Sequence, residues 1–267
     1  MNIAFLISTT KSYYDQTVNR IIKEAQDSGM PSSDLFIVSS QEDSNNCLSL
    51  NDANIFKVTY TGIHLTPLIH VVENFNIYEN YTHFCLLHST STIGSTFYTK
   101  LKNILSKLQS PIDAIPFNSP GLGGQTKDMG IVSRDQILFL QNYFKAIKLE
   151  EYTSDSLLQL KKQLIFDENL IFGLQAVRPD LSTRFEFINC GRQLVTANGI
   201  ENPSNIIIED IQLEGETLRR SYYPSLDFYK YQRTFQGLSN ISMNSNGSIP
   251  KWIKLANKFE HINMNKE

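Results

Sequence analysis

The run Ile3-Ala4-Phe5-Leu6-Ile7 constrains the fold more than any other segment. It is short, continuous and apolar, which suits a strand buried on both faces. Ser8-Thr9-Thr10 forms its polar exit. Asp15 to Gln26 then reads as a helix, with Val18, Ile21, Ile22 and Ala25 on one face and Arg20, Lys23, Glu24 and Asp27 elsewhere. Gly29 ends it, and Asp34 to Val38 is the next strand. A chain that opens strand, helix, strand is building a parallel sheet.

The remaining pattern extends that start. Residues 41–54 are polar and Asn-rich and read as a loop, before a third strand from Ile55 to Tyr60. Leu65 to Phe75 is helical, with Pro67 suited to the first turn. Thr82 to His88 is a further buried strand, and Ser95 to Leu108 a helix. Asp113 to Phe117 and Met129 to Val132 are short strands, and Arg134 to Ile147 is a helix. After about residue 180 the pattern changes to an antiparallel or irregular region with strands near 185–188, 193–196 and 206–208, and a terminal helix from Pro250 to Ile262. The expected fold is a three-layer α/β sandwich with a mostly parallel central sheet. Residues 1–180 would form the core, and residues 181–267 would wrap onto it as an extension of the same domain, since no flexible linker separates them.

Composition narrows the function. The 267 residues are 41% hydrophobic and 19% charged, so the chain folds. Its 24 Lys and Arg against 27 Asp and Glu give a net charge of −3, which argues against a double-stranded DNA binder. Three sparse cysteines make neither a disulfide framework nor a zinc site, and a reducing cytoplasm is the simplest compartment. The N-terminus lacks the basic start and long apolar segment of a signal peptide.

Open α/β sheets bind ligands at the carboxyl ends of their strands. That directs attention to Ser8, Thr9 and Thr10, to His88, Ser89 and Thr90, and to the loop Gly121-Leu122-Gly123-Gly124. Neither a dinucleotide fingerprint nor a P-loop follows the first strand, and no G-x-S-x-G nucleophile elbow is present.

The order of three features resembles a GT-A-fold glycosyltransferase, an enzyme that uses a nucleotide-sugar. The first is strand Ile3–Ile7 with its Ser8-Thr9-Thr10 exit. The second is strand Phe84–Leu87 running into His88-Ser89-Thr90 and Gly94-Ser95-Thr96-Phe97-Tyr98. The third is Gly123-Gly124, then Met129 to Asp135, then Phe166-Asp167-Glu168-Asn169-Leu170-Ile171-Phe172-Gly173, similar to the fringe-like inverting enzymes. The resemblance covers roughly residues 1–175.

The resemblance implies a sugar moved from a nucleotide-diphosphate donor to an acceptor hydroxyl. An inverting transferase needs a carboxylate base. Asp167 and Glu168 are the first candidates, weighed against capping a helix that starts near Asn169, and Asp128 is another. Gly123 and Gly124 would let the acceptor approach the backbone. In the family, the strand at 84–87 ends in an acidic motif that holds a divalent metal, manganese or magnesium, on the diphosphate. His88-Ser89-Thr90 has no carboxylate, so a divalent metal, manganese or magnesium, is expected to matter less than in carboxylate-bearing relatives. A metal-free transferase would stabilise the diphosphate with cations or hydroxyls instead. Arg219, Arg220 and Arg233, in a stretch rich in Tyr, would close over the diphosphate as a lid. The Trp252 helix would either dock on the core or rest peripherally on an anionic membrane. Two alternatives stay open: a sugar-phosphate nucleotidyltransferase, and a non-catalytic α/β module that binds nucleotide or sugar.

Overall fold

The structure is a computed structural model, and it describes residues 1–107, 113–117, 128–172, 207–213 and 216–233. The expected opening is present: β1 (Ile3–Thr10), α1 (Tyr14–Asp27) and β2 (Leu35–Ser40). Next come β3 (Asn46–Leu50), β4 (Ala53–Lys57), α2 (Thr66–Glu73) and β5 (His83–His88). These are followed by β6 (Ser91–Ile93), α3 (Phe97–Leu105), β7 (Ala114–Pro116) and β8 (Gly130–Ser133). Helices α4 (Arg134–Phe139), α5 (Gln141–Ala146) and α6 (Ser154–Phe172) precede β9 (Ile207–Leu213), β10 (Glu216–Tyr223) and β11 (Phe228–Arg233).

A seven-stranded sheet in the order β3-β4-β2-β1-β5-β8-β7 forms the middle layer. Strands β4, β2, β1 and β5 run parallel, and β7 shares their direction because it is antiparallel to β8, itself antiparallel to β5. The chain is therefore the three-layer α/β sandwich that the sequence predicts. Alternation along β1 explains the layers. Phe5 and Ile7 face one cluster, with Ile21, Ile22, Phe97, Leu101 and Phe228. Ala4 and Leu6 face the other, with Leu68, Val71, Phe144, Leu160 and Leu164. The stretch Ala4–Ile7, buried this way on both sides, is wholly apolar.

Among the described residues there is also a smaller antiparallel sheet, β6-β11-β10-β9. Its β10–β11 hairpin pairs with β6, directly after β5, in the register Phe228↔Ile93, Tyr229↔Thr92 and Lys230↔Ser91. Tyr223, Leu226 and Phe228 are buried in the same cluster as Phe5 and Phe97.

Four expectations need correction. The stretch read as a loop at 41–54 contains β3, an edge strand antiparallel to β4. The helix from Arg134 to Ile147 is two helices, broken at Leu140. The Arg/Tyr stretch, read above without strands, forms the hairpin of β10 and β11, with its arginines in the ladder. The helix expected to begin near Asn169 begins at Ser154, so Asp167 and Glu168 lie well inside α6 and do not cap it. Gly123, Gly124, the boundary at 180, the strands expected near 185–188 and 193–196 and the Trp252 helix lie outside the described residues.

Candidate functional site

Sheet topology marks one point for a ligand. From β1 the chain steps to β2 on one side, then returns through α2 to place β5 on the other side of β1. Where strand order reverses, the carboxyl ends leave a crevice. Ser8 and His88 are register partners there.

Three side chains from distant parts of the sequence meet at that end. Lys230 of β11 donates a hydrogen bond to the Asp128 carboxylate, which lies just ahead of β8. His88 Nδ1 is 3.9 Å from the same carboxylate oxygen. His88 Nε2 donates to the Asp128 carbonyl at 3.0 Å. A carbonyl only accepts, so this bond assigns the proton of the neutral ring to Nε2. The His64 ring lies 5.2 Å from that of His88, centroid to centroid. Burial pushes the His88 imidazole well below its ordinary pKa. Asp128 opposes this, while Lys230 and His64 add to it. Burial alone would raise the Asp128 carboxyl, but Lys230, with His88 and His64, holds it well below the usual carboxylate range. The arrangement is a neutral imidazole beside a buried ammonium–carboxylate pair. Asp128 Oδ1 has no hydrogen-bond partner among the described residues.

The surrounding backbone is fixed from several sides. Arg20 of α1 reaches under the β5–β6 turn, donating from Nη2 to the Ser89 carbonyl at 2.8 Å and from Nη1 to the Ser91 carbonyl at 3.0 Å. It pairs with Glu24 at 2.8 Å, and Glu24 accepts from the Ile93 amide at 2.9 Å. Tyr231 N donates to the Thr90 carbonyl at 3.0 Å, tying the same turn to β11. On the other side, Ile63 has a φ of 56°. A β-branched residue is strained there. Its carbonyl accepts from Ser8 Oγ at 3.2 Å and Thr66 Oγ1 at 2.8 Å, which holds the strained turn carrying His64 against the site.

The structure therefore brings together His88 and Asp128 and adds His64 and Lys230, neither of which the sequence singled out as a site residue. Ser8 is committed to the Ile63 turn, and Thr9 Oγ1 contacts Thr17 Oγ1 of α1 at 3.2 Å. Thr10 ends β1 and is partly buried. Ser89 and Thr90 offer the site their turn geometry, through carbonyls already bonded. Arg220 stacks its guanidinium 5.3 Å above the Tyr229 ring, an arrangement of neighbouring strands in the hairpin. The side chains of Arg219, Arg233, Asp167 and Glu168 lie outside the described part.

The metal that the family resemblance implies does not fit these residues. The strand end carries no carboxylate, and Asp128 is already paired with Lys230. Among the described residues, no group of three His, Cys, Asp or Glu is arranged to hold a metal ion. Among the described residues, clefts away from this cluster include one of about 440 Å³ lined by Cys47, Phe56, Tyr60, His70 and Glu73, and one of about 390 Å³ lined by Phe75, Arg134 and Leu138. No helix of the described residues is long and apolar enough to cross a membrane.

No protein-family model matches the chain, and no curated protein matches it. Among solved structures it is similar to one titled as the crystal structure of a glycosyltransferase involved in the glycosylation of the major capsid of PBCV-1. The identity is 14% and the TM-score 0.41, over 72% of this chain and 86% of that one.

Proposed function

We propose that the chain is a glycosyltransferase that moves a sugar from a nucleotide-diphosphate donor to an acceptor hydroxyl. One observation carries the reading: the His88–Asp128–Lys230 cluster at the carboxyl ends of β1 and β5, where strand order reverses. A buried cation beside a neutral, donating imidazole suits an anionic leaving group that gains charge during the reaction.

Asp128 is a poor base while Lys230 holds its carboxyl low. The base we propose is Asp167 or Glu168. Their helix α6 packs against β7, β8 and the turn Ile63–Leu65 that carries His64. The proposed course is inverting: the acceptor oxygen attacks the anomeric carbon as one of these carboxylates takes its proton. An anomer-resolved product spectrum checks the stereochemistry.

Calorimetric titration with nucleoside diphosphates, paired with an assay of diphosphate release from a panel of nucleotide-sugars, tests the reading. Binding of the diphosphate and release from at least one donor are expected. Asp167→Asn or Glu168→Gln should slow release by about 10²–10⁴-fold with donor binding intact. Binding of a nucleoside triphosphate with pyrophosphate release would point to a nucleotidyltransferase. Binding of nucleotide with no release from any donor would leave a binding module.

A further inference from the structure

We infer that the Lys230 ammonium takes the place of a divalent cation at the donor diphosphate, so that the C-terminal hairpin supplies the charge for a metal-independent transfer. This rests on the glycosyl-transfer reading above and names the group that meets the diphosphate.

The argument begins with where Lys230 lies. It sits in β11 between two partners, opposite Ser221 of β10 and opposite Ser91 of β6. Ser91 begins β6 directly after the turn that leaves β5, and Arg20 and Glu24 clamp that turn and the start of β6 from below. The ammonium is thus held by a continuous ladder at the end of the strand that borders the crevice. It is 5% exposed. Taking a lysine charge out of water is costly, and a well-packed apolar pair generally folds at least as well as a buried ion pair. Fold stability alone therefore gives little reason for a cation at this position.

The second part is what surrounds it. A hard divalent cation needs anionic oxygens to displace its water. The strand end offers His88, Ser89 and Thr90, and the carboxylate described there belongs to Asp128 and is bound to Lys230. Asp128 serves to hold the ammonium in place while the donor is away. Its other oxygen, Oδ1, remains without a hydrogen-bond partner among the described residues.

The reaction then balances without a metal. The acceptor oxygen forms a bond to the anomeric carbon, and the bond from that carbon to the β-phosphate oxygen breaks. The electron pair of the broken bond stays on the phosphate oxygen, and the acceptor proton passes to the carboxylate base. The extra negative charge on the diphosphate falls against Lys230, and the Nε2 proton of His88 is the neighbouring donor. After the diphosphate departs, Lys230 returns to Asp128 alone.

The probe is inorganic pyrophosphate, titrated calorimetrically in the presence of a chelator. The full chain should bind it. Lys230→Met should bind at least about tenfold more weakly, in line with loss of a hydrogen bond to a charged group. Because that variant leaves Asp128 unpaired, the pair Lys230→Met with Asp128→Asn is measured beside it, with a thermal melt to show that the fold persists. On a turned-over donor, the pair should lower kcat by about 10²–10³-fold, and wild-type kcat should be unchanged by chelator or by added manganese. Pyrophosphate binding that appears only when manganese is added overturns the inference, as does equal binding by the folded double variant. Failure of the glycosyl-transfer reading is a separate result: no sugar donor is turned over, whatever pyrophosphate does.

Discussion

His70 shows how burial acts on a single titrating group. Its ring is 5% exposed, lies 4.4 Å from the Phe56 ring and makes a 2.8 Å hydrogen bond between Nδ1 and the Tyr78 hydroxyl. Burial pushes its pKa down to about 4. In the unfolded chain an ordinary histidine titrates near about 6.5. The unfolded state therefore binds the proton first, and the stability His70 confers is complete above pH ~6.5 and lost as pH falls towards 4. The loss should reach about 3 kcal/mol by that pH. Urea midpoints at pH 7.5 and 5 should differ for the wild type and differ by clearly less for His70→Gln, the remainder coming from His88, which burial also pushes down. Arg20 is the second residue to test. Its guanidinium satisfies two turn carbonyls and Glu24 at once. Arg20→Met strands those groups and should cost about 3–5 kcal/mol by urea unfolding. Residues of this kind were only half legible in the sequence. His88 stood out because it ends a buried strand. The meeting of Lys230 with Asp128 was not legible, because the two are separated by 102 positions and come together through the β11–β6 register.

Among the elements, those that bury both faces were the readable ones. Strands β1, β2 and β5 each contain a continuous apolar run, Ile3–Ile7, Leu35–Val38 and Phe84–Leu87, which suits a central strand. Edge strand β3 escaped because all five of its residues are exposed. The signal that could have found it was Asn51-Asp52, a two-residue hairpin turn in which both residues have positive φ, 49° and 64°. Helix α6 also had a readable start, the reciprocal cap in which Ser156 N donates to Thr153 Oγ1 at 3.2 Å and Thr153 N to Ser156 Oγ at 2.8 Å. Gly94 has a structural reason that the sequence could not reveal. A Cβ there would lie 2.4 Å from the Asp227 carboxylate and 2.5 Å from its carbonyl oxygen. That same carboxylate accepts from Thr96 N at 2.9 Å and Thr96 Oγ1 at 2.6 Å, at the start of α3. Gly94→Ala must push backbone apart, and should destabilise by about 1–3 kcal/mol or more. Gly29 is the useful contrast. It has a φ of 79° and nothing within 4 Å of an added Cβ, so Gly29→Ala should cost only about 1 kcal/mol of conformational strain. Chemical denaturation of the two variants ranks them; equal costs would remove the steric account of Gly94.

At the scale of the whole molecule, the C-terminal hairpin joins the stability of the core to the candidate site. The sequence pattern led us to expect that residues beyond 180 wrap onto the core, because no linker separates them. For the described β10–β11 hairpin, the packing on the core has a physical reason. Phe228 stacks on Tyr223 at 4.3 Å and meets Phe97 and Phe117 edge-on or tilted at 6.0 Å, inside the cluster that covers one face of the central sheet. Two residues further along β11 is Lys230. Hairpin docking and delivery of the site cation are therefore one event. Phe228→Ala should remove a buried ring that α1 and α3 alone cannot replace, and cost about 3–5 kcal/mol. If the hairpin is integral to the core, that variant should still unfold in a single transition, with near- and far-ultraviolet circular dichroism coincident and the midpoint shifted. If the hairpin is a separate unit, near-ultraviolet signal from its tyrosines should be lost first while the helical signal of the core stays in place. The same variant separates packing from charge: at temperatures where it remains folded, pyrophosphate binding should weaken less than in Lys230→Met, because the ammonium is still present and only the strand that carries it has loosened.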